Sequence, residues 1–322
     1  PTIQATKSNI ERVHGGKSQK YYKYFLDKKS KVHFSILLSE QGTKFYNKKN
    51  KNILIEASEN KHIPVNKGFV WLTLSEIKVL ISKNNIVNMS TRSVLSCLNL
   101  NPIVSCNFSL LDSLILNKKD KENVSSLKSN KLFSLCKKNE ISLLTNLSSA
   151  PWYNDQKSRG AKKNNFFIQG IKVKSNTREI NSWDQPILKP INQYMYILFI
   201  RIIDGRYNFL LDIKYEPGII KNKILIPTFA HLKNKKSKKN LSTLINKFNG
   251  KIINRSIQSE EGGRFYLAQN EYIIVELPNK KKIDIVRNKI WLPISQILLL
   301  IRTSNLVGIQ LRTFFSLINF IK

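Results

Sequence analysis

The chain has 322 residues, 41% of them hydrophobic, enough to give two or three domains a core, so wholesale disorder is excluded. Its 54 Lys and Arg against 21 Asp and Glu leave a formal net charge of +33. That field is more than acidic small-molecule substrates need, and it suits phosphate backbones, an anionic membrane surface or a large acidic assembly.

Strand-type patterns, either alternating or continuously apolar, dominate the chain. They are expected at 32–38, 52–57, 68–74, 166–173, 194–203, 207–215, 223–229, 264–268, 272–277 and 282–292. The connections carry turn chemistry at Asp204-Gly205, Glu216-Pro217-Gly218, Asn249-Gly250 and Gly262-Gly263. Helical signals are few. Asn240 caps a segment with Leu241, Leu244, Ile245 and Phe248 on one face, and 90–98 offers a second short helix. The last thirty residues are apolar without a clean period and fit either state.

Between 82 and 151 the pattern weakens into a polar connector with short helices, followed by a second polar stretch at 152–165. The expected division is an N-terminal β module at 1–84, a connector at 85–165 and a larger β region at 166–322. The longest apolar runs stop at Arg201 and Arg302, well short of the roughly 20 residues a membrane helix needs. Pro1 stands in place of an initiator Met, which suggests a piece of a longer protein.

A weak internal echo joins HGGKSQKYYKYFLDKKSKVHFSILL, from His14, to EGGRFYLAQNEYIIVELPNKKKIDI, from Glu261. Each has a Gly pair, a basic residue and an aromatic strand beside a Lys cluster. Two copies about 250 residues apart fit one small β-barrel module used twice, and biased composition alone produces such likeness nearly as readily.

Cys97, Cys106 and Cys136 are odd in number with no CxxC spacing, which argues against a zinc site and a disulfide framework and for a reducing compartment. The four histidines, His14, His33, His62 and His231, sit in no nucleophile elbow, HExxH pair or Cys-His constellation. Neither a GxxxxGK[ST] nor a GxGxxG loop is present. Glu260 and Glu261 are neighbours that point to opposite faces if extended, and a two-metal carboxylate cluster is not expected.

The basic clusters are the remaining candidates. Lys233, Lys235, Lys236, Lys238 and Lys239 form one loop tract; Arg159, Lys162 and Lys163 form a second; Lys280, Lys281 and Lys282 form a third. With Trp152, Tyr153, Phe166 and Phe167 nearby, they fit a nucleic-acid groove in which rings stack on bases. Each fits a solvated charged loop as well. The chain holds 43 Lys but 11 Arg, alongside 41 Ile and 35 Asn, and these types share A/T-only codons. An AT-rich genome therefore accounts for the charge as readily as phosphate binding does, because a site selected for bidentate contacts retains Arg.

Two stretches, IPVNKGFVWLTLSEIKVLI (63–81) and FNGKIINRSIQSEEGGRFYLAQNEYIIVELPNKKKIDI (248–285), resemble strand units of the β″ subunit of the plastid-encoded DNA-directed RNA polymerase. The resemblance implies a mainly β chain of tandem small β-barrel or sandwich modules of the sandwich-barrel hybrid type. It further implies a noncatalytic insertion in the chloroplast stroma that supports transcription, with other polymerase subunits and DNA as partners. No cofactor, catalytic residue, small-molecule substrate or membrane insertion is then expected in this segment. The alternative is a stand-alone basic organellar protein that binds RNA or DNA.

Overall fold

A computed structural model describes residues 10–13, 15–57, 62–66, 68–98, 166–175, 178–216, 218, 223–279, 288–303 and 305–318. These are mainly β, as the alternation predicts, and their sheets are open. After a short helix α1 (Tyr22–Leu26), strands β1 (Lys31–Ser39) and β2 (Lys49–Glu56) pair as an antiparallel ribbon. Helices α2 (Leu74–Ser82) and α3 (Met89–Leu95) follow. Strands β3 (Phe166–Lys174) and β4 (Ser182–Pro190) form a separate hairpin.

The main sheet has seven strands: β5 (Tyr194–Ile203), β6 (Arg206–Tyr215), β7 (Lys223–Ile226), β8 (Phe229–Leu232), β9 (Lys251–Ser259), β10 (Gln269–Glu276) and β11 (Lys289–Pro293). Its backbone order is β11-β6-β5-β10-β9, with β7 on β6 and β8 on β5; only β5 and β10 run parallel. Helix α4 (Lys235–Phe248) lies between β8 and β9, and α5 (Ile294–Thr303) and α6 (Ile309–Leu317) close the described chain.

Strand β5 is buried on both faces from Met195 to Ile200 and therefore reads as continuously apolar over those residues. Met195, Ile197 and Phe199 face α4, packing with Leu241 and Phe248; Tyr196, Leu198 and Ile200 face the core that holds Ile297, Leu311 and Phe314 of α5 and α6. Phe34, Leu38 and Ile81 belong to that second core, so β1 and α2 share it with the main sheet.

Several expected strands differ. The 223–229 run divides at Pro227, which has no N–H for a ladder. Thr228 compensates with its side chain, whose hydroxyl donates to Leu210 O at 2.5 Å and accepts from Phe199 N–H at 2.9 Å. Residues 69–73 run unpaired into α2, because Thr73 and Glu76 form a reciprocal capping box that starts a helix. The 264–268 segment is a turn, and most of 282–292 lies outside the described residues. Helix α4 begins five residues before Asn240 because Asn234 is its cap, accepting from Ser237 N–H at 2.8 Å. The final apolar stretch is helical, as α5 and α6. The 99–165 part of the connector lies outside the described residues.

The internal repeat is real but its register is 220 residues, not about 250. SEQGTKFYNKKNKNILIE (39–56) aligns without a gap on SEEGGRFYLAQNEYIIVE (259–276), and 71–98 aligns on 291–318 at the same spacing, Trp71 on Trp291 and Arg92 on Arg312. The structure follows: β1, β2, α2 and α3 correspond to β9, β10, α5 and α6. Even the β-bulge is shared, falling at His33 in one unit and Ile253 in the other.

Candidate active site

The two units meet through their matching turns. In the first, Glu40 N–H donates to Lys48 O at 3.0 Å while Lys44 and Phe45 N–H close on Gln41 O at 2.9 and 2.8 Å. In the second, Glu260 N–H donates to Ala268 O at 2.9 Å while Arg264 and Phe265 N–H close on Glu261 O at 3.0 and 2.9 Å. Each turn carries a buried carboxylate at its start and a cation and Phe at its bend.

The side chains then cross. Arg264 lies over Phe45, 5.1 Å from the ring centroid, and Lys44 lies over Phe265 at 4.5 Å. The two rings meet edge to face at 5.9 Å. Glu40 accepts from Asn50 at 2.7 Å within its own unit and from Arg264 of the other at 3.0 Å. Glu260 accepts from Asn270 within its unit and from Gln41 of the other at 2.7 Å. Arg264 also pairs with Glu261 at 3.1 Å.

Behind the turns, Arg92 donates to Val87 O and to Ser259 O, the latter at 2.5 Å. Arg312 does the same with Val307 O and Ser39 O, both at 2.9 Å. A fourth carboxylate, Glu216, enters from the end of β6 and accepts Thr43 N–H at 3.1 Å. Gly218 follows it so closely that a Cβ there would stand 2.0 Å from Gly42 O, a place for glycine alone.

Burial sets the protonation of this seam. It raises the Glu260 carboxyl above the ordinary range, opposed by Lys44, Arg92 and the amides of Asn270 and Gln41. It raises Glu216 as well, against the Thr43 N–H and Lys214, and it lowers Lys44, against Glu260 and Glu216. The phenols of Tyr272 and Tyr196, whose rings lie tilted to each other with centroids 5.3 Å apart, are driven up by burial and stay neutral. Titratable groups pushed in opposite directions within one interface make the seam the candidate site of this chain. Among the described residues no three His, Cys, Asp or Glu side chains come together in metal-holding geometry.

None of the basic residues expected to bind nucleic acid enters the seam as described. Lys235, Lys236, Lys238 and Lys239 are exposed on the first turns of α4 rather than on a loop, on the sheet face opposite α5 and α6. Lys233 pairs with buried Glu271 at 3.1 Å, and Arg255 takes its other oxygen at 2.5 Å. Arg159, Lys162, Lys163, Lys280, Lys281 and Lys282 lie outside the described residues. His33 reaches Glu56 at 2.9 Å on the open β1–β2 surface. The seam residues were missed because each is ordinary alone; the SEQG and SEEG stretches at one fixed spacing are the signal that reveals them.

Comparison with known proteins gives one consistent answer. A family model described as NDP-hexose 2,3-dehydratase matches residues 1–98 and 127–318. Three relatives named dTDP-4-dehydro-6-deoxy-alpha-D-glucopyranose 2,3-dehydratase are each 28% identical: from Saccharopolyspora spinosa over 97% of this chain and 68% of its own length, from Amycolatopsis orientalis over 99% and 66%, and from Streptomyces violaceoruber over 97% and 71%. The chain thus spans about two thirds of these relatives. Among solved structures, an ADP compounds hydrolase aligns with 45% of this chain and 80% of its own at 13% identity and a TM-score of 0.29, too loose a likeness to carry an argument.

These matches overturn the resemblance to the plastid RNA polymerase β″ subunit, and with it the transcriptional role, the polymerase partners and the expectation that no small-molecule substrate is involved. The stand-alone nucleic-acid-binding reading gains no support either. The error has a physical origin. Lys-, Ile- and Asn-rich strands look alike whichever fold they serve, so diffuse strand motifs in a biased composition carry little family information.

Proposed function

Because the chain belongs to the NDP-hexose 2,3-dehydratase family, we propose that it acts on a nucleoside-diphosphate hexose with a ketone at C4, eliminating water across C2 and C3. The observation that carries this reading is the family match itself, which runs through both repeat units and includes every seam residue.

The chemistry asks for modest machinery. The C3 hydrogen lies next to the C4 carbonyl and is the acidic one, so a base removes it and the carbonyl oxygen takes up the charge. The C2 hydroxyl then leaves with a proton: C3–H and C2–O break, C2=C3 forms and water departs. Proton transfer by a positioned side chain is the natural means, and it needs a group with a pKa displaced toward neutrality. Glu216 suits that role. Its carboxyl is raised by burial, and it stands at the meeting of both units beside the first turn. Glu40 and Glu260 have both oxygens engaged by side chains and act as scaffold.

The test is incubation of the chain with dTDP-4-dehydro-6-deoxyglucose, following loss of one water by mass spectrometry. Turnover by the wild-type chain and a fall of roughly 100-fold in kcat for Glu216→Gln are expected. Unchanged substrate after long incubation with folded protein would sink the reaction; full activity in the variant would sink the assignment of Glu216.

A further inference from the structure

Besides Lys48 in place of Ala268, the two turns of the seam differ in charge at one position: Gln41 stands where the second turn has Glu261. The effect on the cations is local. Arg264 sits between two carboxylates, Glu40 at 3.0 Å and Glu261 at 3.1 Å. Lys44 holds the equivalent place, yet no carboxylate lies within ion-pair distance of it among the described residues. Glu260 is occupied by Asn270 and by the Gln41 amide, and Gln41 brings no charge of its own. The ammonium rests instead on the Phe265 ring.

A half-buried ammonium without a bonded counter-charge has lost water and gained a ring quadrupole and the more distant charges of Glu260 and Glu216, so an arriving anion interacts with it more strongly than with a solvated lysine. The second unit shows what fills such a place, since Glu261 supplies there the anion that the first unit lacks.

We propose that Lys44 is an anion subsite that receives the pyrophosphate group of a nucleoside-diphosphate sugar, in the position the Glu261 carboxylate occupies in the second unit. The nucleotide rests on the dehydratase reading; the need for an anion rests on the seam alone. A lysine ammonium is a compact partner for phosphate oxygens, and the aromatic face beneath it keeps its position without competing for the charge.

Calorimetric titration of the whole chain with dTDP and with inorganic pyrophosphate tests the subsite, using Lys44→Gln, Lys44→Arg and Gln41→Glu. Loss of one charge-assisted contact corresponds to a weakening of about 10-fold or more, expected for both ligands in Lys44→Gln. Lys44→Arg should stay within about 3-fold of wild type, because Arg264 fits the matching place. Gln41→Glu should weaken binding like Lys44→Gln by giving the lysine an internal partner.

Wild-type affinity for both ligands in Lys44→Gln and Gln41→Glu would overturn the proposal, as would a loss confined to dTDP. The two readings fail separately. A chain that does not dehydrate the sugar but loses pyrophosphate with Lys44→Gln keeps the subsite and loses the reaction. A chain that turns over with unchanged KM in Lys44→Gln keeps the reaction and loses the subsite.

Discussion

Arg92 and Arg312, 220 residues apart, each bind the backbone carbonyl of a serine in the other unit: Arg92 holds Ser259 and Arg312 holds Ser39. Those serines immediately precede Glu260 and Glu40, so each unit's carboxylate turn is fixed by the other unit's helix. Both guanidinium groups are buried. Removing one strands buried carbonyls in both units, so Arg92→Met and Arg312→Met should each cost about 3 kcal/mol or more. Urea unfolding measures this, and a loss below about 1 kcal/mol in both variants would mean that the crossed bonds do not hold the units together.

Glu260 makes the stability of the seam depend on pH in a definite direction. Its carboxyl titrates above the ordinary 4.5 in the folded chain. The folded state therefore holds this proton more tightly than the unfolded chain, and the resulting stabilisation is complete below pH 4.5 and lost as pH rises through the higher folded value. Glu260→Gln cannot ionise, so urea midpoints of the variant should fall less between pH 4.5 and neutrality than those of wild type. Parallel curves would show that Glu260 ionises in the folded chain as it does in the unfolded one.

How far the sequence carried the fold can be judged from particular elements. Tyr194–Ile203 was legible to the residue, because a strand buried on both faces leaves a nearly continuous apolar run, interrupted here by Arg201 near its end. Strand β4, with Asp184 and Pro186 inside it, was not: it belongs to a two-stranded hairpin with exposed positions, where burial does not enforce alternation. Residues 69–73 show local chemistry overriding pattern, since their apolar side chains suggested a strand and the Thr73–Glu76 box made a helix begin instead. The seam was hidden for a different reason. Glu40, Gln41, Lys44, Glu260 and Arg264 acquire meaning only when two turns separated by 220 residues are laid against each other, and the Gly-pair echo at about 250 residues lays the wrong segments together.

The contact between Gly218 and Gly42 yields a steric test. A methyl group at Gly218 would meet a backbone carbonyl, which cannot swing aside as a side chain does. Gly218→Ala should therefore displace the segment that carries Glu216 and destabilise the chain by roughly 1–3 kcal/mol, the range of an overpacked core. Its Asn47 partner adds a readout, because the Asn47 N–H bonds Gly218 O at 2.7 Å and its hydrogen exchange should speed up in the variant. Unchanged exchange and unchanged melting would show that the approach relaxes without cost.

Lys78 is the exception in the core made by α2 and α6. Its side chain is buried and its ammonium donates to Ser316 O at 3.1 Å, at the carbonyl end of α6, where a cation suits the helix dipole. Burial nevertheless lowers its pKa to about 8. The matching residue of the second unit is Leu298. A lysine with a lowered folded pKa binds its proton more weakly folded than unfolded, so its contribution is complete above pH 10.5 and lost as pH falls through about 8. At pH 7 the charge therefore costs stability, and Lys78→Leu should gain roughly 1–3 kcal/mol after the lost carbonyl contact is counted. The gain should shrink as pH is raised past 8, because the wild-type lysine then loses its proton. Chemical denaturation of both proteins from pH 7 to 10 reads this, and a gain that stays constant across the range would show that packing rather than desolvated charge sets the cost of Lys78.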